Sequence, residues 1–464
     1  MLWSVRGALE RDRSTRPASR PNVLLVSIDS LRADHLGSYG YARDTTPTID
    51  RLAREGVLFE TALSSASWTV PAHMTMLTGL PPEVHGVTTT QQSLSADAVT
   101  LAEVLQAAGY DTAAFVSGPT VMAHYGFGQG FSLFDESMVE PHRARSAEGI
   151  SSPGLVQQVD GFLERWDYSG REAPFFVFLH MWDVHYDYAP PEPYDRLFDP
   201  DYQGDLTSEH FERNPRIKPD MDRRDLEHLI ALYDGEIRFT DEHLGQIVAR
   251  LRALGVLDDT LVVVTSDHGD EFFEHGLKGH AKTLYDEVLR VPLVLRYPRR
   301  LGFGQRIAAQ VRMMDIAPTI LGLARVPAPD GFGASHLDDS YRFADLTPFI
   351  AGRHPQRPLP ELTAFSDTTS VFGHQQAIRT PDAKLIRYAW ARPGRLKTEV
   401  FDLASDPGEH SNLFGTGQAQ PFLQVLDPAL TAWGEAAGQQ TKLAVVRKPS
   451  PTHDAKLRAL GYIQ

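Results

Sequence analysis

Asp29, Thr69, Asp267 and His268 are of the types that grip a divalent cation and aim a hydroxyl at an electrophile. Carboxylate oxygen and imidazole nitrogen suit zinc, manganese, calcium or magnesium. A threonine hydroxyl is a poor nucleophile at neutral pH. A coordinated cation lowers its pKa and orients it, so Thr69 reads as both nucleophile and fourth metal ligand. His73 follows Thr69 by one helical turn and could reach the same mouth, there to contact a non-bridging oxygen of the substrate. His180, Asp183 and His185 form a second cluster; Asp183 and His185, with His280, could hold a second ion.

These residues stand where strands end or helices begin. Asp29 closes the run Asn22-Val-Leu-Leu-Val-Ser-Ile, and Asp267-His268-Gly269 follows Thr260-Leu-Val-Val-Val-Thr-Ser. Both runs are nearly unbroken apolar stretches rich in β-branched residues, as in strands covered on both faces. Open α/β sheets place ligands beyond the carboxyl ends of such strands, so the acids are expected to converge on one crevice. Thr69 precedes a short helical stretch ending at Thr78-Gly79, and a helix start offers free N–H groups to an anion.

The same alternation runs on. Thr46-Pro47 opens a helix that stops at Glu55-Gly56, and Val57–Ala62 returns as a strand. Thr112–Val116, Pro174–His180 and Val291–Arg296 read as further strands, and Ile237 to Leu254 as one face of a helix. The fold expected is α/β: a large doubly wound, mixed or parallel sheet over residues 21–350, flanked by helices. A Pro-rich linker near Ala351–Pro360 leads to a smaller α+β subdomain over 361–464. Its short alternating segments Leu362–Phe365, Gln376–Arg379, Lys384–Tyr388 and Glu399–Asp402 predict a small antiparallel sheet. Asp135–Gln158 and Pro190–Asp225 read as long surface loops, of the kind that often serve as functional lids. Residues 1–20 read as a disordered tail.

A chain of 464 residues with 42% apolar and 23% charged content can bury a large core, as an ordinary globular protein does. A net charge of −15 argues against a nucleic-acid surface; an anionic substrate must meet local positive charge instead. The absence of cysteine excludes disulfides and thiolate metal sites. No run approaches the ~20 apolar residues that span a bilayer. The first twenty residues hold five arginines and no apolar core, so they do not form a secretory signal. The chain as it stands reads as cytoplasmic; an export segment upstream would make it periplasmic or secreted.

Taken together, the motifs resemble the sulfatase branch of the alkaline phosphatase superfamily over about Asn22 to Leu413. The resemblance rests on Ile28-Asp-Ser-Leu-Arg-Ala-Asp34, Thr69-Val-Pro-Ala-His73, Met76-Leu-Thr-Gly79 and Phe178-Leu-His-Met-Trp-Asp-Val-His185-Tyr186. Ser266-Asp-His-Gly269, Lys282-Thr-Leu-Tyr-Asp-Glu287, Arg290-Val-Pro292 and Phe401-Asp-Leu-Ala-Ser-Asp-Pro-Gly-Glu409 continue it in the family's order. It implies an alkaline phosphatase-like fold, a metal-dependent hydrolase and a small anionic ester as substrate. By resemblance His185 is the general acid near the leaving oxygen, and Lys282, with Lys278 as the competing choice, stabilises charge on the transferred group.

The departures redirect the chemistry. Sulfatases proper carry a formylglycine made from cysteine or serine; threonine stands there and gives no aldehyde. His73 replaces an arginine, Ser30 a second metal-binding aspartate, and Ser117-Gly-Pro119 a Lys-x-His pair. An unmodified threonine is what the superfamily's phosphodiesterases and phosphotransferases use. The expected activity is therefore cleavage of phosphate mono- or diesters or phosphonate esters. The alternatives are sulfate-ester hydrolysis, transfer to an alcohol acceptor and an anion-binding pseudoenzyme.

Overall fold

A computed structural model describes residues 20–139, 150–330, 332–333, 344–352, 358–370, 373–388, 398–439, 443–447 and 450–459. The expected N-terminal tail, and parts of the Asp135–Gln158 loop and of the linker, lie outside these residues.

Strands β1 (Asn22–Ile28), β2 (Val57–Leu63), β3 (Asp111–Val116), β4 (Phe175–Met181), β5 (Thr260–Thr265) and β6 (Arg290–Arg296) make the body of a nine-stranded sheet in the order β2-β6-β5-β1-β4-β3. Gln305–Ile307 lies at the β2 edge and Leu133–Asp135 at the β3 edge. β1 is central and parallel to both neighbours, β4 and β5. β6 runs antiparallel between β5 and β2, which makes the sheet mixed.

Strand period two divides the core. Val23 and Leu25 join one hydrophobic cluster with Phe176, Phe178, Leu261 and Val263. Leu24, Val26 and Ile28 join another with Val177, Leu179, Val262 and Val264. Both faces are thus covered, which is why these strands carry apolar residues at every position instead of alternating with polar ones.

Helix α1 (Thr69–Thr78) lies against the first face, and all ten of its residues are buried. It ends at Gly79, whose φ of 67° is a left-handed cap that costs glycine nothing. Helix α2 (Ser152–Tyr168) occupies the end of the region read from sequence as a loop; its apolar residues Leu155, Val159, Phe162 and Leu163 keep helical spacing against the sheet. Helix α3 (Arg223–Ala253) is four turns longer than its apolar stripe suggested, and the Asp222 side chain caps it.

Beyond residue 360, strands β7 (Ala364–Ser370), β8 (Gly373–Arg379), β9 (Ala383–Tyr388) and β10 (Thr398–Asp402) form an antiparallel sheet in sequential order. Helix α4 (Gln420–Gly438) buries Leu426, Leu430 and Trp433 against it. Among the described residues no helix is long and apolar enough to cross a membrane.

Candidate metal centre and nucleophile

Register and pleat bring the acids together. Ser27 of β1 is paired with His180 of β4 on one side and Thr265 of β5 on the other. Counting in twos from Val23 and Leu25, Ser27 and Asp29 point to the face that α1 covers. The same parity sends His180 from β4 and Asp267 from the end of β5 to that face. Thr69 opens α1 directly above them.

The result is a fully buried set of atoms. Thr69 Oγ1 lies 3.5 Å from Asp29 Oδ2 and 3.3 Å from His268 Nε2. His268 Nε2 is 3.3 Å from Asp267 Oδ2 and 3.8 Å from Asp29 Oδ1. His268 Nδ1 donates to the Gly269 carbonyl at 3.1 Å, so in the neutral ring Nε2 carries a lone pair. Asp267 Oδ1 accepts from the backbone N–H of Ser30 and His268, at 3.2 and 3.0 Å. Its Oδ2 is buried without a hydrogen bond.

Ligand atoms of Asp29, Asp267 and His268 lie within 4.8 Å of one another. Besides the Ser30 and Thr69 hydroxyls and two backbone N–H groups, what converges here is lone pairs. Such a set of buried oxygen and nitrogen donors fits a divalent ion. Burial, partly offset by His268, raises Asp29 to about 7, as expected for a carboxylate cut off from water. Burial also opposes charge on His268, but Asp267 and Asp29 outweigh it and raise its pKa.

His73, expected at a substrate oxygen, spends both nitrogens inside the protein. Nδ1 donates to the Thr69 carbonyl at 2.9 Å, and Nε2 meets Ser27 Oγ at 2.9 Å. Burial pushes its pKa down to about 3, so the ring is neutral and ties α1 to β1.

Asp183 does not join a second ion site. Its Oδ1 accepts from Ser151 N and Oγ at 2.7 and 2.6 Å, and Oδ2 from Ser152 N at 2.6 Å. Those bonds satisfy the amino end of α2, which Asp183 caps from another strand's end. The carboxylate beside His280 is Asp270. Among the described residues, His268, Asp270 and His280 form a second group whose ligand atoms fall within 4.8 Å.

His280 Nδ1 bonds Asp270 Oδ1 at 2.6 Å, and Tyr188 donates its hydroxyl to Asp270 Oδ2 at 2.6 Å. His185 stacks on Trp182 at 3.7 Å and stands 4.9 Å from the His280 ring. Its Nδ1 donates to the Tyr186 carbonyl at 2.6 Å, and burial holds its pKa well below the usual imidazole range. A neutral ring whose proton is committed to a carbonyl accepts at Nε2, which does not suit the general-acid role implied by resemblance.

Lys282 is buried with its ammonium on Glu212, 2.7 Å from Oε1 and 2.5 Å from Oε2, and it also donates to the Lys278 carbonyl. Lys278 points away and donates to the Ile217 carbonyl at 2.7 Å.

Asp270 and Glu212 were not read from the sequence, and His180, read as part of the second cluster, joins the first instead. His180 reaches Asp29 Oδ2 at 3.2 Å from Nε2, with Nδ1 on the Ser117 carbonyl at 2.6 Å. Asp270 and Tyr188 orient His280, and Glu212 holds Lys282. Only Asp270 carried a signal, two residues past His268 in Asp-His-Gly-Asp.

A family model described as Sulfatase matches residues 21–326, and one described as N-sulphoglucosamine sulphohydrolase, C-terminal, matches 274–435. An ulvan-active sulfatase of Formosa agariphila is 26% identical over 480 residues, covering 96% of this chain and 85% of its own. A protein solved with its substrate D-glucosamine-2-N,6-O-disulfate has a similar fold, at TM-score 0.72 and 21% identity over 92% of this chain and 99% of its own. The phosphonate monoester hydrolase of Agrobacterium radiobacter is similar too, at TM-score 0.71 and 23% identity over 93% of this chain and all (100%) of its own.

Proposed function

Since the chain belongs to the sulfatase family, and is thereby an ester hydrolase of the alkaline phosphatase superfamily, we propose that it cleaves phosphate or phosphonate esters with unmodified Thr69 as nucleophile. The observation that carries this reading is Thr69 Oγ1 among Asp29 Oδ2 and His268 Nε2, at 3.5 and 3.3 Å, where the family's aldehyde chemistry has no precursor.

Asp29, Thr69, Asp267 and His268 would hold a divalent cation. When bound, that ion supplies Lewis acidity toward the hydroxyl and the phosphoryl oxygens. Thr69 Oγ1 forms a bond to phosphorus as the ester P–O bond breaks. Asp29 Oδ2 would accept the threonine proton, and the departing alkoxide would take a proton from solvent and leave as the alcohol. Water then adds its hydroxyl to phosphorus and its proton goes to solvent; the group leaves as phosphate, as a phosphate monoester from a diester, or as phosphonate, and Thr69 takes back the proton held on Asp29.

His73 keeps α1 seated on β1 so that the hydroxyl stays aimed. His185 and His280 are proposed to face the leaving oxygen as neutral rings. Lys282 is proposed to approach the transferred group.

Turnover of nitrophenyl phosphate, bis-nitrophenyl phosphate and nitrophenyl sulfate, assayed in parallel with Mn²⁺ or Zn²⁺, tests the reading. Phosphorus-ester hydrolysis abolished by EDTA and by Thr69→Ala is expected. Hydrolysis of the sulfate alone would sink it in favour of a sulfatase, the second reading, which the ulvan-active sulfatase supports. Stoichiometric metal with no turnover would favour an anion-binding protein.

A further inference from the structure

Glu212 belongs to the Pro190–Asp225 stretch, read from the sequence as a long surface loop, and its part-buried carboxylate turns inward onto Lys282. Both of its oxygens contact Lys282 Nζ, at 2.7 and 2.5 Å. The backbone makes room for it: a side chain at Gly279 would run into the Glu212 carboxylate and then Tyr186. Tyr186 in turn stacks on His280, with ring centroids 5.0 Å apart. Glu212 therefore stands over the Gly279–Lys282 turn, on the side of the site carrying His280 and His185, and the Asp270 charge reaches it.

The consequence is a shortage of positive charge. Asp29, Asp267, Asp270 and Glu212 are four carboxylates around one site. Among the described residues, Lys282 is the cationic side chain bonded into that group. Arg32 touches it only through the Asp270 carbonyl and is held by Asp34 and Glu274. Lys278 acts on Glu212 only through its charge, because its ammonium turns to Ile217 and lies over the Phe211 ring. His73 stands where the family carries arginine, and both of its nitrogens are engaged.

One divalent cation and one ammonium leave these acids incompletely neutralised. Every negative charge on an incoming phosphoryl group must be accommodated beside the carboxylate that already occupies Lys282. Unit charges in contact in a partly desolvated site interact far more strongly than in water, so a second substrate charge is costly.

Building on the assignment of Thr69 as nucleophile, we propose that Glu212 is a specificity-determining residue. It restricts the site to singly charged phosphorus esters, namely phosphodiesters and phosphonate monoesters, and disfavours doubly charged phosphate monoesters. Glu212 competes with the substrate for Lys282, and a monoanion needs less of that lysine than a dianion.

The test uses the full chain loaded with Mn²⁺ at pH 8, above the second phosphate pKa of about 6. kcat/KM is compared for nitrophenyl phosphate, bis-nitrophenyl phosphate and nitrophenyl phenylphosphonate, which share a leaving group. Wild type is expected to prefer the two singly charged esters by about 10²-fold. Glu212→Gln, with Glu212→Ala as the second variant, should raise the monoester about tenfold more than either monoanion. A wild-type preference for the monoester overturns the proposal, and so does an equal loss on all three esters, which would mark Glu212 as a mere prop for Lys282.

Binding of phenyl phosphate and diphenyl phosphate to Thr69→Val protein, by calorimetry, gives the charge preference without turnover. A tighter diester whose advantage shrinks in Thr69→Val/Glu212→Gln protein supports Glu212 even if no phosphorus ester is hydrolysed, an outcome that would sink the Thr69 reading alone. Equal affinities would sink the Glu212 proposal alone.

Discussion

Thr69 Oγ1 lies 3.3 Å from His268 Nε2, across 199 residues of chain. The fully buried hydroxyl opens a helix and faces a lone pair and a carboxylate, the surroundings that suit an aimed nucleophile. Thr69→Val should lower kcat/KM for phosphorus esters by at least about 10³-fold, while Thr69→Ser stays within about tenfold. Metal content by mass spectrometry should survive in both, because Asp29, Asp267 and His268 remain. Loss of the metal with the activity would make Thr69 a ligand only.

Asp183 is assigned to the amino end of α2, through its bonds to Ser151 and Ser152. Asp183→Ala should lower the unfolding free energy by about 2–3 kcal/mol, the scale of buried hydrogen bonds to a charged acceptor. Bound metal should stay at the wild-type ratio. A drop in metal stoichiometry with unchanged stability would restore Asp183 as a ligand.

The segment before Thr69 is splinted by β7. Ser67 N–H donates to Thr368 Oγ1 at 3.0 Å, the two hydroxyls meet at 2.8 Å, and Asp367 N–H donates to the Ser65 carbonyl at 2.9 Å. Thr368→Val leaves the Ser67 groups unpaired and should lower kcat about tenfold with little change in KM, since an aimed nucleophile is sensitive to small displacements. Thr368→Ser should restore it. A change in KM alone would place the splint in substrate binding instead.

His275 joins the large domain to the closing segment. Its Nδ1 bonds Glu287, and its Nε2 bonds the Glu409 carbonyl at 2.9 Å. Burial pulls its pKa down, but the bond to and charge of Glu287 more than compensate and raise it to about 9. The folded value exceeds the unfolded one, about 6.5. The stabilisation is therefore complete below pH 6.5 and disappears as pH rises through 9. Urea midpoints at pH 6, 8 and 10 should show the advantage of wild type over His275→Gln shrinking across that window. A difference that grows with pH would reverse the assignment.

Much of the fold was legible because strand burial leaves a compositional trace. β1, β4 and β5 are covered on both faces, so their apolar runs have no polar alternation, and their carboxyl ends marked Asp29, His180 and Asp267. The four segments predicted beyond residue 360 match β7 to β10 within a few residues. Helix α2 was hidden by the polar, Ser-rich stretch leading into it and by Gly154 and Gly161 within it, although Ser151-Ser-Pro153 is itself a helix-start signal. The extra turns of α3 were hidden by Arg- and Asp-rich residues whose partners lie in the preceding loop, as Arg224 on Asp199 does.

By itself the sequence determined residue types: two acids and a histidine at strand ends, a threonine where an aldehyde precursor would stand, and no thiol anywhere. Tertiary structure alone decided what each polar atom faces. Asp183 turned to a helix end and Asp270 to His280; His73 went to α1 and β1, and Glu212 came from the Pro190–Asp225 loop onto Lys282. Local pattern follows burial, which the chain records at every position. Pairing among side chains as far apart as Glu212 and Lys282 depends on register, pleat and loop path, and no single segment encodes those.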